Sequence, residues 1–151
     1  MLRSGTVVQV VLLLAVVASC RREIGDECVT AVDCNPNGSR SCDATQPGGY
    51  CTIQGCDERS CPEEAACMRY FPAQFLTKPC DPKAPSDCIA DEICLDSGVC
   101  APLSTELRYC VKTCASVDDC REGYECRLAG TRGSMVLTPS STAVVNFCAP
   151  R

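Results

Sequence analysis

Cys114-Ala-Ser-Val-Asp-Asp-Cys120 has the same outline as Cys28-Val-Thr-Ala-Val-Asp-Cys34: two cysteines with five residues between them, the second preceded by aspartate. Cys80 and Cys88 repeat that outline with seven intervening residues and Asp87 before the second cysteine, and Ser60-Cys61 is a weaker fourth case. A third cysteine follows each pair, at Cys42, Cys67, Cys94 and Cys126, and three of these four gaps are five residues long. A closing cysteine then follows an aromatic or aliphatic residue, in Tyr50-Cys51, Tyr109-Cys110, Val99-Cys100 and Phe147-Cys148, the last two running on into Ala-Pro. A recurring spacing marks a repeated structural unit. The simplest parsing has four units of four cysteines over residues 28–151: 28–51, 56–110, 80–100 inserted within the second, and 114–148. All sixteen cysteines in that range are used once.

Between the cysteines, Pro36-Asn37-Gly38, Gln46-Pro47-Gly48-Gly49 and Pro82-Lys-Ala-Pro85 punctuate the chain too often for long helices. The expected fold is therefore small and disulfide-rich, built of short β-hairpins and coil with little helix. Two local expectations accompany it. Ser60–Met68 reads as one or two helical turns, and Met135-Val-Leu-Thr138 with Ala143-Val-Val-Asn-Phe147 reads as a hairpin around Pro139-Ser-Ser.

Composition supports this class. The 151 residues contain 17 cysteines, no tryptophan, four tyrosines and three phenylalanines. Setting aside the cysteines and the first nineteen residues leaves roughly 30% apolar residues, low for a self-sufficient core. Bridges contributing about 2–4 kcal/mol each offset that shortfall. They also place the protein in an oxidising compartment, the periplasm or the exterior.

The N-terminus reads as an export signal. Arg3 precedes an apolar run over residues 6–18, interrupted only by Thr6 and Gln9, and too short for a span of about twenty residues. The run ends in Val17-Ala18-Ser19-Cys20. This resembles the bacterial lipobox: an aliphatic residue, two small residues and the cysteine that becomes lipidated. The resemblance implies a signal peptide over 1–19, lipid on Cys20 as the mature N-terminus, and a short tether over 20–27. Parity agrees, since removing Cys20 leaves an even sixteen. The competing reading is ordinary cleavage after Ala18, which would secrete the protein with an odd cysteine. Two or more acyl chains make attachment effectively permanent. In lipoproteins of Gram-negative type the residue after the lipidated cysteine sorts the protein, and Arg21 in place of Asp implies the outer membrane, with the domain facing the periplasm or the surface. Arg21–Glu27 spans about 25 Å fully extended, and is expected to be a solvated linker.

The third unit, Cys80-Asp-Pro-Lys-Ala-Pro-Ser-Asp-Cys88 through Gly98-Val-Cys100, is similar to Dickkopf-type and EGF-like modules, which are small binding domains. The adjacent cysteine pair of the Dickkopf pattern is absent, so no receptor function is carried over. EGF-like modules begin with first-to-third and second-to-fourth bridges. Applied to each unit, that resemblance implies Cys28–Cys42, Cys34–Cys51, Cys56–Cys67, Cys61–Cys110, Cys80–Cys94, Cys88–Cys100, Cys114–Cys126 and Cys120–Cys148. Sixteen cysteines allow about two million pairings, and spacing alone does not choose among them.

The chain has no histidine, which removes Ser-His and Cys-His nucleophilic systems and mixed Cys/His zinc sites. No C-x-x-C occurs, so structural cystines are expected rather than metal thiolates. The acidic pairs Asp57-Glu58, Glu63-Glu64, Asp91-Glu92 and Asp118-Asp119 could serve acid/base chemistry, but neighbouring acids on polar loops are usually solvated. Asp26-Glu27-Cys28 matches only the end of the calcium-binding EGF opening, with Ile24 where the first acid belongs. Without the leader, 13 basic against 19 acidic side chains give a net charge of −6, which argues against nucleic acid as a partner. The expectation is a non-enzymatic, lipid-anchored binding or structural module with no cofactor or metal and a protein or glycan partner. A secreted inhibitor or toxin-like effector, and less so a carboxylate-dependent hydrolase, are the alternatives. The candidate binding patch is Arg69, Tyr70, Phe71 and Phe75, which serves as core if buried and as a contact surface if exposed.

Overall fold

The computed structural model describes residues 22–84, 87–137 and 144–151. Cys20 and the leader therefore lie outside the described residues, as do residues 138–143 at the tip of the final loop. Among the described residues, one α-helical turn, α1 (Ala31–Cys34), a few 3-10 turns and nine short strands make up the regular structure: β1 (Ser41–Cys42), β2 (Cys51–Thr52), β3 (Ala65–Tyr70), β4 (Glu92–Cys94), β5 (Cys100–Pro102), β6 (Leu107–Lys112), β7 (Tyr124–Leu128), β8 (Ser134–Val136) and β9 (Asn146–Pro150). All strand pairs are antiparallel, in the order β1-β2, β6-β3-β8, β4-β5 and β7-β9.

Eight disulfides join Cys28 to Cys42, Cys34 to Cys51, Cys56 to Cys67, Cys61 to Cys110, Cys80 to Cys94, Cys88 to Cys100, Cys114 to Cys126 and Cys120 to Cys148. In each set of four, the third and fourth cysteines face each other as register partners on two antiparallel strands. These partners are Cys42 and Cys51, Cys67 and Cys110, Cys94 and Cys100, and Cys126 and Cys148. Side chains at facing positions leave the same side of a ribbon, so the two sulfurs lie together and the preceding loop supplies the two that cap them. Each unit is thus a loop stapled twice to one side of a hairpin. The second unit's hairpin, β3 with β6, is interrupted by the whole third unit, and the fourth's, β7 with β9, by β8.

The residue before the second cysteine holds the loop. Asp33 Oδ2 accepts from the backbone N–H groups of Val29 (2.9 Å) and Thr30 (2.8 Å). Asp119 Oδ2 accepts from those of Ala115 (2.7 Å) and Ser116 (2.9 Å). Ser60 Oγ accepts from Asp57 N at 2.7 Å, a hydroxyl in the carboxylate's role. Asp87, at the end of the longer gap, reaches back to Asp81 N at 3.3 Å.

Three expectations need correction. Residues 65–68 of the stretch expected to be helical lie in β3, because Cys67 must face Cys110 across a strand pair. The turn of the expected final-loop hairpin lies outside the described residues, but its described flanks pair elsewhere: β8 pairs with β3, and β9 pairs with β7. Nor are residues 23–27 a solvated linker. Ile24 is fully buried, Gly25 N donates to Cys51 O (2.9 Å) and Cys51 N to Asp26 O (2.9 Å). Glu23 pairs with Lys112 at 3.3 Å. Docking of Ile24 removes an apolar side chain from water at little cost, because this short segment is already held close by the first bridge at Cys28.

The largest buried cluster gathers Ile24, Tyr50, Met68, Val111, Tyr124, Phe147 and Ala149 with cystines of the second and fourth units. A second is almost pure cystine, Cys28, Cys34 and Cys51. A third packs Phe71, Leu95 and Ala101, joining the inserted unit to its host.

Candidate functional site

A cleft of about 390 Å³ opens where the first, second and fourth units meet. Its walls come from the turn after β1, from β6 and from β9, and it is lined by all four tyrosines of the chain, Tyr50, Tyr70, Tyr109 and Tyr124, together with Phe147. Three of these five rings stand immediately before a closing cysteine. Neighbouring strand residues point to opposite sides of a ribbon, and in three of the four hairpins the neighbour of the closing cysteine is a ring, the third unit having Val99 there instead. The three hairpins are arranged so that these faces converge. Tyr70 lies 6.2 Å from Tyr109 and 6.2 Å, edge to face, from Phe147, while Tyr50 and Tyr124 stack at 5.7 Å. Tyr50, Tyr124 and Phe147 form a buried floor; Tyr70 and Tyr109 are partly exposed.

Polar groups rim the cleft. Asp43, Thr45 and Gln46 come from the first unit, and Arg127 and Arg132 from the fourth. Asp43 is tied into its turn, accepting from Thr45 Oγ1 at 2.6 Å and Gln46 Nε2 at 3.3 Å. Arg127 donates to Glu125 through Nε (2.9 Å) and Nη2 (2.7 Å), and Nη2 also donates to Pro150 O (2.8 Å). Arg132 is exposed and has no ion-pair or hydrogen-bond partner among the described residues. It is also the one non-glycine described residue with a left-handed backbone, φ 50°.

Behind the floor, Arg121 lies 4.3 Å from the Tyr124 ring centre and 5.8 Å from that of Tyr50. It donates to Pro47 O (2.8 Å), to Gly49 O and to Tyr124 Oη (2.6 Å). Burial raises the pKa of Tyr50 and Tyr70 far above the ordinary phenol value and raises that of Tyr124 as well, so these phenols stay neutral through the physiological range.

The patch expected at Arg69, Tyr70, Phe71 and Phe75 is divided. Successive strand residues point to opposite faces. Tyr70 enters the cleft, whereas Arg69 and Phe71 share the other side, the guanidinium 5.4 Å from the ring centre. Arg69 pairs with Glu106 at 2.6 Å, and Phe71 is core. Phe75 sits apart on a short 3-10 turn, Ala73–Phe75, 43% exposed. Reasoning from local clustering found one of the five cleft rings. The signal that marks three others was the aromatic residue before a closing cysteine, visible in Tyr50, Tyr109 and Phe147.

Sulfurs crowd in threes within each unit, as in Cys28, Cys34 and Cys51, because its two bridges lie side by side. Each of them is a disulfide sulfur and not a thiolate donor. The acidic pairs are dispersed into structural work. Asp57 accepts from Arg59 N (2.9 Å), Glu64 pairs with Arg40 (3.3 Å), and Glu92 with Lys78 (3.7 Å). Burial alone would raise the Glu106 carboxyl, but the Arg69 and Arg108 guanidiniums outweigh it and hold it below its ordinary value. Every carboxyl with a displaced titration, Asp33, Asp57, Glu106, Asp119 and Glu125, is displaced downward.

The fold and cleft define a small disulfide-rich β protein with an aromatic ligand-sized hollow. No protein-family model matches the chain, and neither a curated protein nor a solved structure matches it.

Proposed function

We propose that the chain is an exported lipoprotein, attached through lipid on Cys20 to the bacterial outer membrane, whose disulfide-rich domain is a non-catalytic binding module. The observation that carries this reading is the cysteine count. The eight bridges use all sixteen cysteines from Cys28 to Cys148, so none of these remains to pair with the seventeenth, Cys20. A cysteine that follows an apolar leader and two small residues, and has no disulfide partner within its own chain, is suited to acylation. Extensive cystine is consistent with an extracytoplasmic location. No helix among the described residues is long and apolar enough to cross a membrane.

A binding role is supported by the cleft, whose rings and polar rim suit recognition. Acid catalysis would call for a carboxyl with raised affinity for its proton, and the displaced carboxyls lean the other way. Mass spectrometry of the mature N-terminal peptide tests the anchor. The expected result is a terminus at Cys20 carrying diacylglyceryl and an amide-linked acyl chain, lost with Cys20→Ser; an unmodified terminus at Ser19 would refute it. Pull-down from the native envelope with the full chain tests the binding role.

A further inference from the structure

We infer that the cleft among the first, second and fourth units is a saccharide site, taking about one or two pyranose rings that bear a carboxylate. The inference rests on the reading of the domain as a binding module and is independent of lipidation at Cys20. Its first support is the pairing of surfaces. The negative π-faces of aromatic rings attract the C–H groups on the flat face of a pyranose, and sugar hydroxyls need donors and acceptors around the rim. The cleft offers the partly exposed rings of Tyr70 and Tyr109 above a floor of Phe147 and Tyr124, with Asp43, Thr45 and Gln46 along one lip. A volume of about 390 Å³ lies at the small-ligand end of binding pockets and is far too small for a folded partner.

The second support is charge. The chain is acidic, yet the cleft is lined by Arg127, which is paired with Glu125, and by Arg132. Arg132 has no partner among the described residues and occupies a left-handed backbone that a non-glycine residue adopts at a cost. The following Gly133 packs so closely that a Cβ there would come within 2.7 Å of Phe71 O, which seats the turn that carries Arg132 against the backbone after β3. A planar guanidinium held at the mouth of a ring-lined hollow is suited to a carboxylate, which it can meet with two parallel hydrogen bonds.

The chain supplies its own reporter. With no tryptophan and all four tyrosines lining the cleft, intrinsic fluorescence reads this site and no other. The disulfide-intact full chain in detergent is titrated with mono- and disaccharides of glucuronate, galacturonate and N-acetylneuraminate, with matched neutral disaccharides, and with N-acetyl-phenylalanine. The expected outcome is saturable quenching by at least one acidic sugar, at least tenfold weaker binding of its neutral counterpart, and at least a tenfold loss in Arg132→Gln. Phe75→Ser, outside the cleft, should bind as the parent does. Tighter binding of N-acetyl-phenylalanine than of any sugar would overturn the inference in favour of a peptide terminus. Absence of saturable change with every sugar, in protein whose eight bridges are intact, would overturn it outright. A partner retained in the envelope pull-down alongside that negative result would leave the binding-module reading standing while this one fell.

Discussion

Asp33 and Asp119 each hold two backbone N–H groups of the loop between the first and second cysteines of their units, and these bonds draw both carboxyls below their ordinary pKa. A folded-state value below the unfolded one means that the ionised form stabilises the fold. The contribution is complete above the unfolded value near 4 and disappears as pH falls through the lower folded value. Asp119→Asn should therefore lower the thermal midpoint at pH 7, and the gap to the parent should close in acid; a gap unchanged at pH 2 would show that the carboxylate charge is irrelevant. Arg121 makes a larger claim. It joins the fourth unit to the first through two carbonyls and the Tyr124 hydroxyl while lying over two rings. Losing charge-assisted bonds and ring contacts together, Arg121→Ala should cost about 2–4 kcal/mol in denaturant unfolding. Arg121→Lys should recover only a minor part, because an ammonium cannot reproduce the planar fork. The aspartates were legible in the sequence because they act within a few residues of themselves. Arg121 was not, since the carbonyls of Pro47 and Gly49 that it holds lie more than seventy residues away.

At the scale of elements, the facing third and fourth cysteines explain why four hairpins of different length share one design. The cysteine grouping was readable because a spacing of five residues recurs whatever is inserted between strands. The partners of β3 and β8 were not readable, because their pairing is decided by tertiary geometry. Ser60–Met68 has the short polar look of a helical turn, and only the need for Cys67 to face Cys110 makes its second half a strand. The β8 segment pairs with β3 because Phe71 N and Leu137 N bond to Gly133 O (3.0 Å) and Cys67 O (2.8 Å) at the two ends of the pairing. The tightest element is the first hairpin. Gly49 adopts φ 69°, and a Cβ there would overlap the Cys28 carbonyl. Gly49→Ala should therefore prevent closure of Cys28–Cys42 or strain it, with a loss of about 2–5 kcal/mol, the range for a missing native bridge. Free-thiol titration after oxidative refolding measures this: two additional reactive thiols are expected, and full oxidation with parental stability would show that the turn can relax.

Across the whole molecule the core is thin and the bridges are many, so the N-terminal segment matters more than its length implies. Ile24 is fully buried in the largest apolar cluster, next to Tyr50 of the cleft floor, and Glu23 is fastened to Lys112. The domain thus begins by residue 23, not at Cys28, with Arg22 itself tied in by Arg40, which donates to its carbonyl; with lipid on Cys20, only Arg21 and Arg22 separate the lipidated residue from Glu23. Three residue steps from Cys20 to Glu23 reach about 10 Å, against about 25 Å for the whole stretch to Cys28. The proposed anchor therefore sets the domain, and the mouth of its cleft, at a nearly fixed height above the bilayer. Ile24→Ser tests both halves of that argument in one variant. It leaves a cavity and a hydroxyl in the apolar cluster, so denaturant unfolding should show a loss of about 2–4 kcal/mol. It should also release residues 22–27, so that energy transfer from a dye on the domain to a dye in the membrane falls as the gap grows toward the longer reach. Parental stability together with parental transfer would refute the docked segment. A loss of stability without a change in transfer would show that Ile24 serves the core while something other than this segment holds the domain to the surface.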